Sequence, residues 1–249
     1  MDLPTIVFIP GAWHTPEYYG QVIAILQAQG YPTTTVSLPS VGGLSTMLDD
    51  AAAIQDRVSR LADEGKKVIL VMHSYGGIPG TESAKGLALR TRQAEGRPGG
   101  IVHLVYISAY LVKEGMSVSG MANGAEWPQF LKLENGMVLY DSSAAVQNLY
   151  NDFPDDQNLE TWISKLRPQS AASFDGSLTY PAYRDIPTTY LLCEKDRSIP
   201  VEIQQAFVQN CDGYIRLESC QAGHSPMITM PSVVAETIVT AAQHTNSPP

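Results

Sequence analysis

Lys67-Val-Ile-Leu-Val-Met72 runs without a break into His73-Ser-Tyr-Gly-Gly77. An uninterrupted apolar run of this kind reads as a strand buried on both faces, the habit of parallel sheets. A helix is expected directly after it, from about Tyr75 to Arg92. A serine at that junction sits on a tight strand-to-helix turn, with its Oγ projecting above the carboxyl end of the sheet. Gly76 and Gly77 would let the helix pack close to the turn. The backbone N–H of Tyr75 then points, with the helix N-terminus, toward any oxyanion that develops there. Taken alone, the stretch also fits a Ser-Tyr-Gly-Gly turn with no chemistry.

The same alternation extends in both directions. Thr5-Ile-Val-Phe-Ile9 is a short strand closed by Pro10-Gly11, and Thr15-Pro16 reads as the cap and first position of a helix that Gly30 stops. Thr33 to Leu38 is a β-branched strand. Ser45 can cap a helix on which Met47, Ala51, Ile54, Val58 and Leu61 recur at helical spacing, and Gly65 ends it. Further strands are expected at Ile101 to Ser108, Thr188 to Cys193 and Tyr214 to Leu217, with helical patterns at Val201 to Val208 and Pro231 to Ala242. Strands alternating with helices predict an α/β class fold, a doubly wound, mostly parallel six-stranded sheet.

A single domain of residues 1–249 is expected, with its core at 4–111 and 187–244. Residues 112–186 break the rhythm, being richer in Gly, Asn, Asp and Pro. Helix-like pieces near Trp127 to Leu131, Ser142 to Tyr150 and Leu159 to Leu166 suggest a small, mainly helical lid, because long structureless loops are uncommon. The tail Asn246-Ser-Pro-Pro249 is expected to fray.

Composition narrows the function. The 249 residues carry 16 Lys and Arg against 25 Asp and Glu, a net charge of −9. No basic surplus exists to displace phosphate counterions, so nucleic acid and anionic membrane are not the expected partners. No stretch reaches the roughly 18 apolar residues of a membrane span, and no signal peptide precedes the first strand; a cytoplasmic location is expected. Cys193, Cys211 and Cys220 are odd in number and lack C-x-x-C spacing, which suggests neither a disulfide framework nor zinc. No His, Asp and Glu cluster has metal-ligand spacing and no G-x-G-x-x-G follows the first strand, so neither metal nor cofactor is indicated. A homodimer is left open.

A serine needs a base. Ala222-Gly-His-Ser-Pro226 follows the last strand, placing His224 on a loop at the carboxyl edge, and Glu194-Lys-Asp-Arg-Ser-Ile-Pro200 follows the preceding one. The chain order Ser74, Asp196, His224 is that of one family of triads. Glu194 is the rival acid.

These segments resemble the α/β-hydrolase superfamily, most closely the branch of plant methyl esterases and hydroxynitrile lyases. Pro10-Gly-Ala-Trp-His14 resembles its oxyanion loop, Val68 to Gly77 its nucleophile elbow, and Cys193 to Pro200 its acid segment; the 28-residue interval from Asp196 to His224 is also similar. The resemblance covers about residues 4–112 and 186–242. It implies Ser74 as nucleophile, His224 as base and then acid, Asp196 as the group orienting the imidazole, and the N–H groups of Ala12 and Tyr75 as oxyanion donors. Two departures stand out. Met72 occupies a position where the elbow prefers glycine, and Pro10 replaces a histidine.

Gly11, Trp13, Trp127, Phe130 and Met137 are candidate pocket residues, and the Tyr75 side chain is a candidate to face substrate. His14 is expected to support its loop, His73 to pack away from the nucleophile, and His103 and His244 to be structural or solvated. The first functional expectation is a serine hydrolase acting on a small or medium apolar ester, thioester or lactone. The alternatives are a C–C bond lyase and a non-catalytic ligand-binding protein on the same fold. Cyanohydrin cleavage is disfavoured, because the lyases of this branch typically carry Thr at the place of Gly11 and Lys at that of Ser225.

Overall fold

A computed structural model describes residues 3–122, 124, 126–154 and 159–244. β1 (Thr5–Ile9) leads through a helical turn into α1 (Gly20–Ala28), then β2 (Thr33–Thr35), α2 (Met47–Asp63) and β3 (Lys67–His73). α3 (Gly77–Ser83) and α4 (Leu89–Ala94) precede β4 (Gly100–Ile107). An insertion follows, holding α5 (Val118–Met121), β5 (Leu131–Glu134), β6 (Met137–Tyr140), α6 (Ser142–Asn148), α7 (Leu159–Ile163) and β7 (Gln169–Ser170). The core resumes with β8 (Thr188–Cys193), α8 (Val201–Asn210), β9 (Ile215–Cys220), α9 (Pro226–Thr229) and α10 (Pro231–Gln243).

The main sheet has the order β2-β1-β3-β4-β8-β9, and every pairing in it is parallel. Strand alternation divides its side chains between two cores. Val7, Ile9, Val68, Leu70 and Met72 pack with Met47, Ile54 and Val58 of α2 on one face. Ile6, Phe8, Ile69 and Val71 pack with Val22 and Leu26 of α1 and Val234 and Ile238 of α10 on the other. The strand order reverses between β1 and β3, and the crevice beyond the carboxyl ends at such a point is where ligands bind in open α/β sheets.

Several boundaries differ from those expected. The helix expected over residues 75–92 is broken into two: Gly86 takes φ +73°, and Ala88 bridges to Ile101 beside the start of β4. β2 stops at Thr35, since the chain turns before Val41, whose N–H bonds the Leu38 carbonyl at 3.0 Å. The cap of α2 is Thr46 rather than Ser45. Its hydroxyl accepts from the Asp49 N–H while the Asp49 carboxylate accepts from the Thr46 N–H, a reciprocal capping box.

The insertion holds more helical than strand residues but also a three-stranded antiparallel sheet, β5-β6-β7. No helix forms at Trp127 to Leu131. Pro128 sits in a turn closed by the Leu131 N–H on its carbonyl, and the chain enters β5. Asn135 and Gly136 both have positive φ, 51° and 78°, the signature of a two-residue hairpin turn. Among the described residues, no helix is long and apolar enough to cross a membrane. The expected fraying of 246–249 lies outside the described residues.

Candidate active site

β3 delivers Ser74 to the crevice with φ at +51°, a left-handed backbone that costs a non-glycine residue of order 1–3 kcal/mol and persists only where neighbours enforce it. They do so here. A β-carbon at Gly76 would collide with the Pro10 carbonyl, and one at Gly77 would meet the Tyr110 carbonyl oxygen at 2.5 Å. Both glycines of the motif are therefore sites of close backbone approach.

His224, on the loop after β9, is buried with its Nε2 3.0 Å from Ser74 Oγ. Its Nδ1 lies 2.7 Å from Asp196 Oδ2. An ionised carboxylate only accepts, so Nδ1 carries the proton and Nε2 turns its lone pair to the serine. Asp196 is fixed in turn. Its Oδ1 accepts from the backbone N–H groups of Ser198 at 2.7 Å and Ile199 at 2.9 Å, and its Oδ2 also accepts from the Ser108 hydroxyl. Glu194, the rival acid, is exposed and takes a bond from Gln221 instead.

His73 points away from Ser74, its Nε2–H donating to the His224 carbonyl at 2.8 Å. Burial, with the His224 and His14 imidazoles close by to disfavour a further positive charge, holds its pKa well below the ordinary value. His14 supports its loop: Nδ1–H donates to the Ala12 carbonyl at 2.7 Å. Burial lowers the His14 pKa to about 4. His103 is buried against the Thr189 hydroxyl and His244 is exposed beside Arg216.

Ala12 and Tyr75 flank Ser74. Tyr75 is the second residue of the helical turn Ser74–Gly76, so its N–H belongs to those a helix leaves without an internal partner. Trp13, with φ +63°, donates its backbone N–H to Gln169 Oε1 at 3.3 Å and its indole N–H to the Val138 carbonyl at 2.9 Å. Tyr75 borders the crevice at Ser74, with its hydroxyl turned into the core. That hydroxyl donates to Asp50 Oδ2 at 2.6 Å, and Asp50 also accepts from the N–H and hydroxyl of Ser40. Burial raises the Asp50 pKa even so.

A cavity of about 1180 Å³ opens at Ser74, between the core and the insertion. Trp13, Trp127 and Phe130 line it, joined by Tyr140, Phe174 and Phe207. The rings interlock: Trp13 and Trp127 stand 5.7 and 5.4 Å from Phe174, and Tyr140 lies 4.9 Å from Trp13. Two expectations fail. Met137 is absent from the lining, because strand alternation puts Val138 and Tyr140 on one face of β6 and Met137 on the other. Gly11 is absent too, since it packs against Ser74 and His73 rather than facing the cavity.

Ser108, Asp50 and Gln169 escaped the sequence reading. Signals existed for the first two: Ser108 closes a core strand at the carboxyl edge, and Asp50 interrupts the buried stripe of α2. Gln169 carried none. Among the described residues, no group of three His, Cys, Asp or Glu could hold a metal.

Comparison with known proteins follows this geometry. The family model described as alpha/beta hydrolase family matches residues 6–237. The chain is 32% identical over 246 residues to alpha/beta hydrolase nvfD of Aspergillus novofumigatus, covering 96% of each chain. It is 25% identical over 249 residues to methylesterase 7 of Arabidopsis thaliana, covering 90% of this chain and 91% of that one. The crystal structure of a pyrethroid hydrolase from Sphingobium faniae superposes with a TM-score of 0.77 at 20% identity, covering 99% of each chain.

Proposed function

As this chain belongs to the alpha/beta hydrolase family, we propose that it is a carboxylic ester hydrolase, cleaving a bulky, largely apolar ester, thioester or lactone through Ser74, His224 and Asp196. The observation that carries this reading is the unbroken file from Asp196 Oδ2 to His224 Nδ1, 2.7 Å, and from His224 Nε2 to Ser74 Oγ, 3.0 Å.

Ser74 Oγ attacks the substrate carbonyl carbon as its proton passes to His224 Nε2. The carbonyl π pair moves onto oxygen, and the oxyanion rests on the N–H groups of Ala12 and Tyr75. One such donor is worth about 3–4 kcal/mol of barrier. Collapse expels the alcohol or thiol, which takes the proton from His224 and leaves an acyl group on Ser74. Water, deprotonated by His224, releases the acid by the same steps in reverse order. Asp196 stays ionised, holding the Nδ1–H tautomer and facing the imidazolium.

Substrate class follows from the cavity. Its 1180 Å³ exceeds the roughly 300–1,000 Å³ of most small-molecule sites, and its aromatic walls favour the upper end of the expected size range. Relatives named methylesterase and pyrethroid hydrolase support ester chemistry. Residues 112–186 act as the lid of this cavity, and the substrate is a neutral small molecule, with no cofactor required.

An alkyl fluorophosphonate is expected to label Ser74, and Ser74→Ala to abolish both labelling and turnover of a panel of aryl esters and lactones. Absence of an adduct on folded protein would leave a ligand-binding protein. An adduct without ester turnover, but with cleavage of β-hydroxy ketones, would establish a C–C lyase.

A further inference from the structure

Three consecutive residues just after α6 reach the three loops that carry Ala12, Asp196 and His224. Tyr150, buried, approaches His14 with its hydroxyl 3.1 Å from Nε2. His14 Nδ1–H is committed to the Ala12 carbonyl, which only accepts, so Nε2 is the acceptor and the Tyr150 hydroxyl the donor. The low pKa of His14, caused by burial, keeps this single-proton tautomer populated at neutral pH. Asn151 donates Nδ2–H to the Lys195 carbonyl at 2.9 Å, one residue before Asp196. Asp152 accepts from the Thr229 hydroxyl at 2.8 Å, on the helix that follows the His224 loop.

The last two residues also meet beside His224. A β-carbon on Gly223 would stand 2.5 Å from both Asn151 Oδ1 and Asp152 Oδ1. These two oxygens are buried and accept no hydrogen bond from the described residues, so what they fix is the path of the Gly223 backbone, by contact. Three loops distant in sequence are thus tied to one short segment of the insertion, and a displacement of any of them works against it. Positioning errors well under 1 Å matter to such a centre.

We propose that Tyr150, Asn151 and Asp152 are positioning residues that hold the oxyanion loop, the acid loop and the His224 loop in mutual register. On this view the insertion is part of the catalytic scaffold and not only a cover. The inference rests on the reading of Ser74, His224 and Asp196 as catalytic.

The test uses the full chain and two readouts. The first is kcat and KM for an aryl ester, with the rate of fluorophosphonate labelling at Ser74. The second is the low-field proton resonance of His224 Nδ1–H, which reports its bond to Asp196 whether or not the protein turns over. Tyr150→Phe is expected to lower kcat and labelling about tenfold, with KM within about twofold and the resonance unmoved, because it acts on the oxyanion side. Asn151→Ala and Asp152→Ala are expected to shift or broaden the resonance and lower kcat about tenfold. Asp152→Asn, which still accepts from Thr229, restores both. Leu149→Ala, which removes an equally buried neighbour that touches none of the three loops by hydrogen bonds, lowers the melting temperature and leaves kcat per labelled site alone.

A resonance and kcat unchanged in all three strap variants would overturn the proposal. So would equal losses in Leu149→Ala. A wild-type chain that neither labels nor hydrolyses would refute the catalytic reading, while the resonance would still decide whether the strap positions His224.

Discussion

Met72 and Gly80 are complementary: a β-carbon on Gly80 would stand 2.5 Å from Met72 Sδ and 2.7 Å from its Cγ. The elbow position that favours glycine holds a long side chain here, and the glycine that makes room for it sits on the following helix, α3. Ile9 Cδ1 closes the same gap at 3.1 Å. The crowding at the turn has therefore been moved one helical turn along the chain, and Ser74 keeps its φ of +51°.

Gly80→Ala should consequently destabilise the protein by about 1–3 kcal/mol, the usual cost of overfilling a packed core. The cost of Gly80→Ala should be smaller in a Met72→Ala background, because the shorter side chain removes the clash and the added methyl fills part of the space that it leaves. Urea denaturation of the two single variants and the double variant gives the coupling energy. Strict additivity would mean that the two residues do not share this space.

Ser108 is the least expected contributor to the site. It directly follows β4 with φ +38°, is fully buried, and gives its hydroxyl to the same Asp196 oxygen that receives His224 Nδ1–H. Removing a hydrogen bond to a charged group costs about 1.5–3 kcal/mol. Ser108→Ala should lower kcat roughly tenfold or more at unchanged KM. Steady-state kinetics on an aryl ester decides it. An unaltered kcat would reduce Ser108 to packing.

The main sheet was legible because Lys67 to Met72, Thr5 to Ile9 and Thr188 to Cys193 are apolar on both faces, a pattern that only a covered parallel sheet satisfies. Ser74 and Asp196 were legible because each follows such a strand, and His224 because it follows the edge strand β9 and precedes the last helical pattern. The insertion was not. Its strands are short and half-exposed, Leu133 being 57% exposed, so little periodicity survives. The one strong local signal, Asn135-Gly136 between apolar residues, marks the hairpin that a helical reading of Trp127 to Leu131 hid. Asp50 was harder to interpret for another reason: its break in the buried stripe of α2 is explained only by its partners Ser40 and Tyr75, which lie 10 and 25 residues away.

Acid should unfold this protein earlier than its carboxylates alone would require. His14 and His103 have pKa values lowered to about 4, and His73 is lowered too, burial being the first cause for each. Their unfolded values lie near 6.5. The unfolded chain thus binds more protons between these limits, so the stability from neutral burial is complete above about pH 6.5 and falls as the pH drops toward 4. His14 alone contributes about 3 kcal/mol, at about 1.4 kcal/mol for each tenfold in proton affinity. Denaturant midpoints should hold level from pH 7.5 to about 6.5 and then decline toward pH 4.5, and His14→Gln should flatten the curve. A flat wild-type profile would show that these imidazoles remain free to protonate when folded.

Gly11 sets the distance between the two halves of the centre. A β-carbon there would stand 2.8 Å from Ser74 Cβ and 2.9 Å from His73 Nδ1, and neither neighbour can yield freely. Ser74 is clamped by Gly76 and Gly77, and His73 is held to the His224 carbonyl. The loop carrying Ala12 must move instead, which withdraws one N–H from the oxyanion. Gly11→Ala should therefore lower kcat about 10²–10³-fold, the loss typical of a missing oxyanion donor, with KM and the folded structure largely retained. Gly11→Thr, although it installs the residue that lyases of this branch carry, should be inactive toward esters and cyanohydrins alike, because its added bulk lies where Ser74 and His73 already are. Gain of cyanohydrin cleavage by Gly11→Thr would show that the loop can retreat while keeping Ala12 in place. In that case this glycine would govern the choice of reaction and not the spacing of the site.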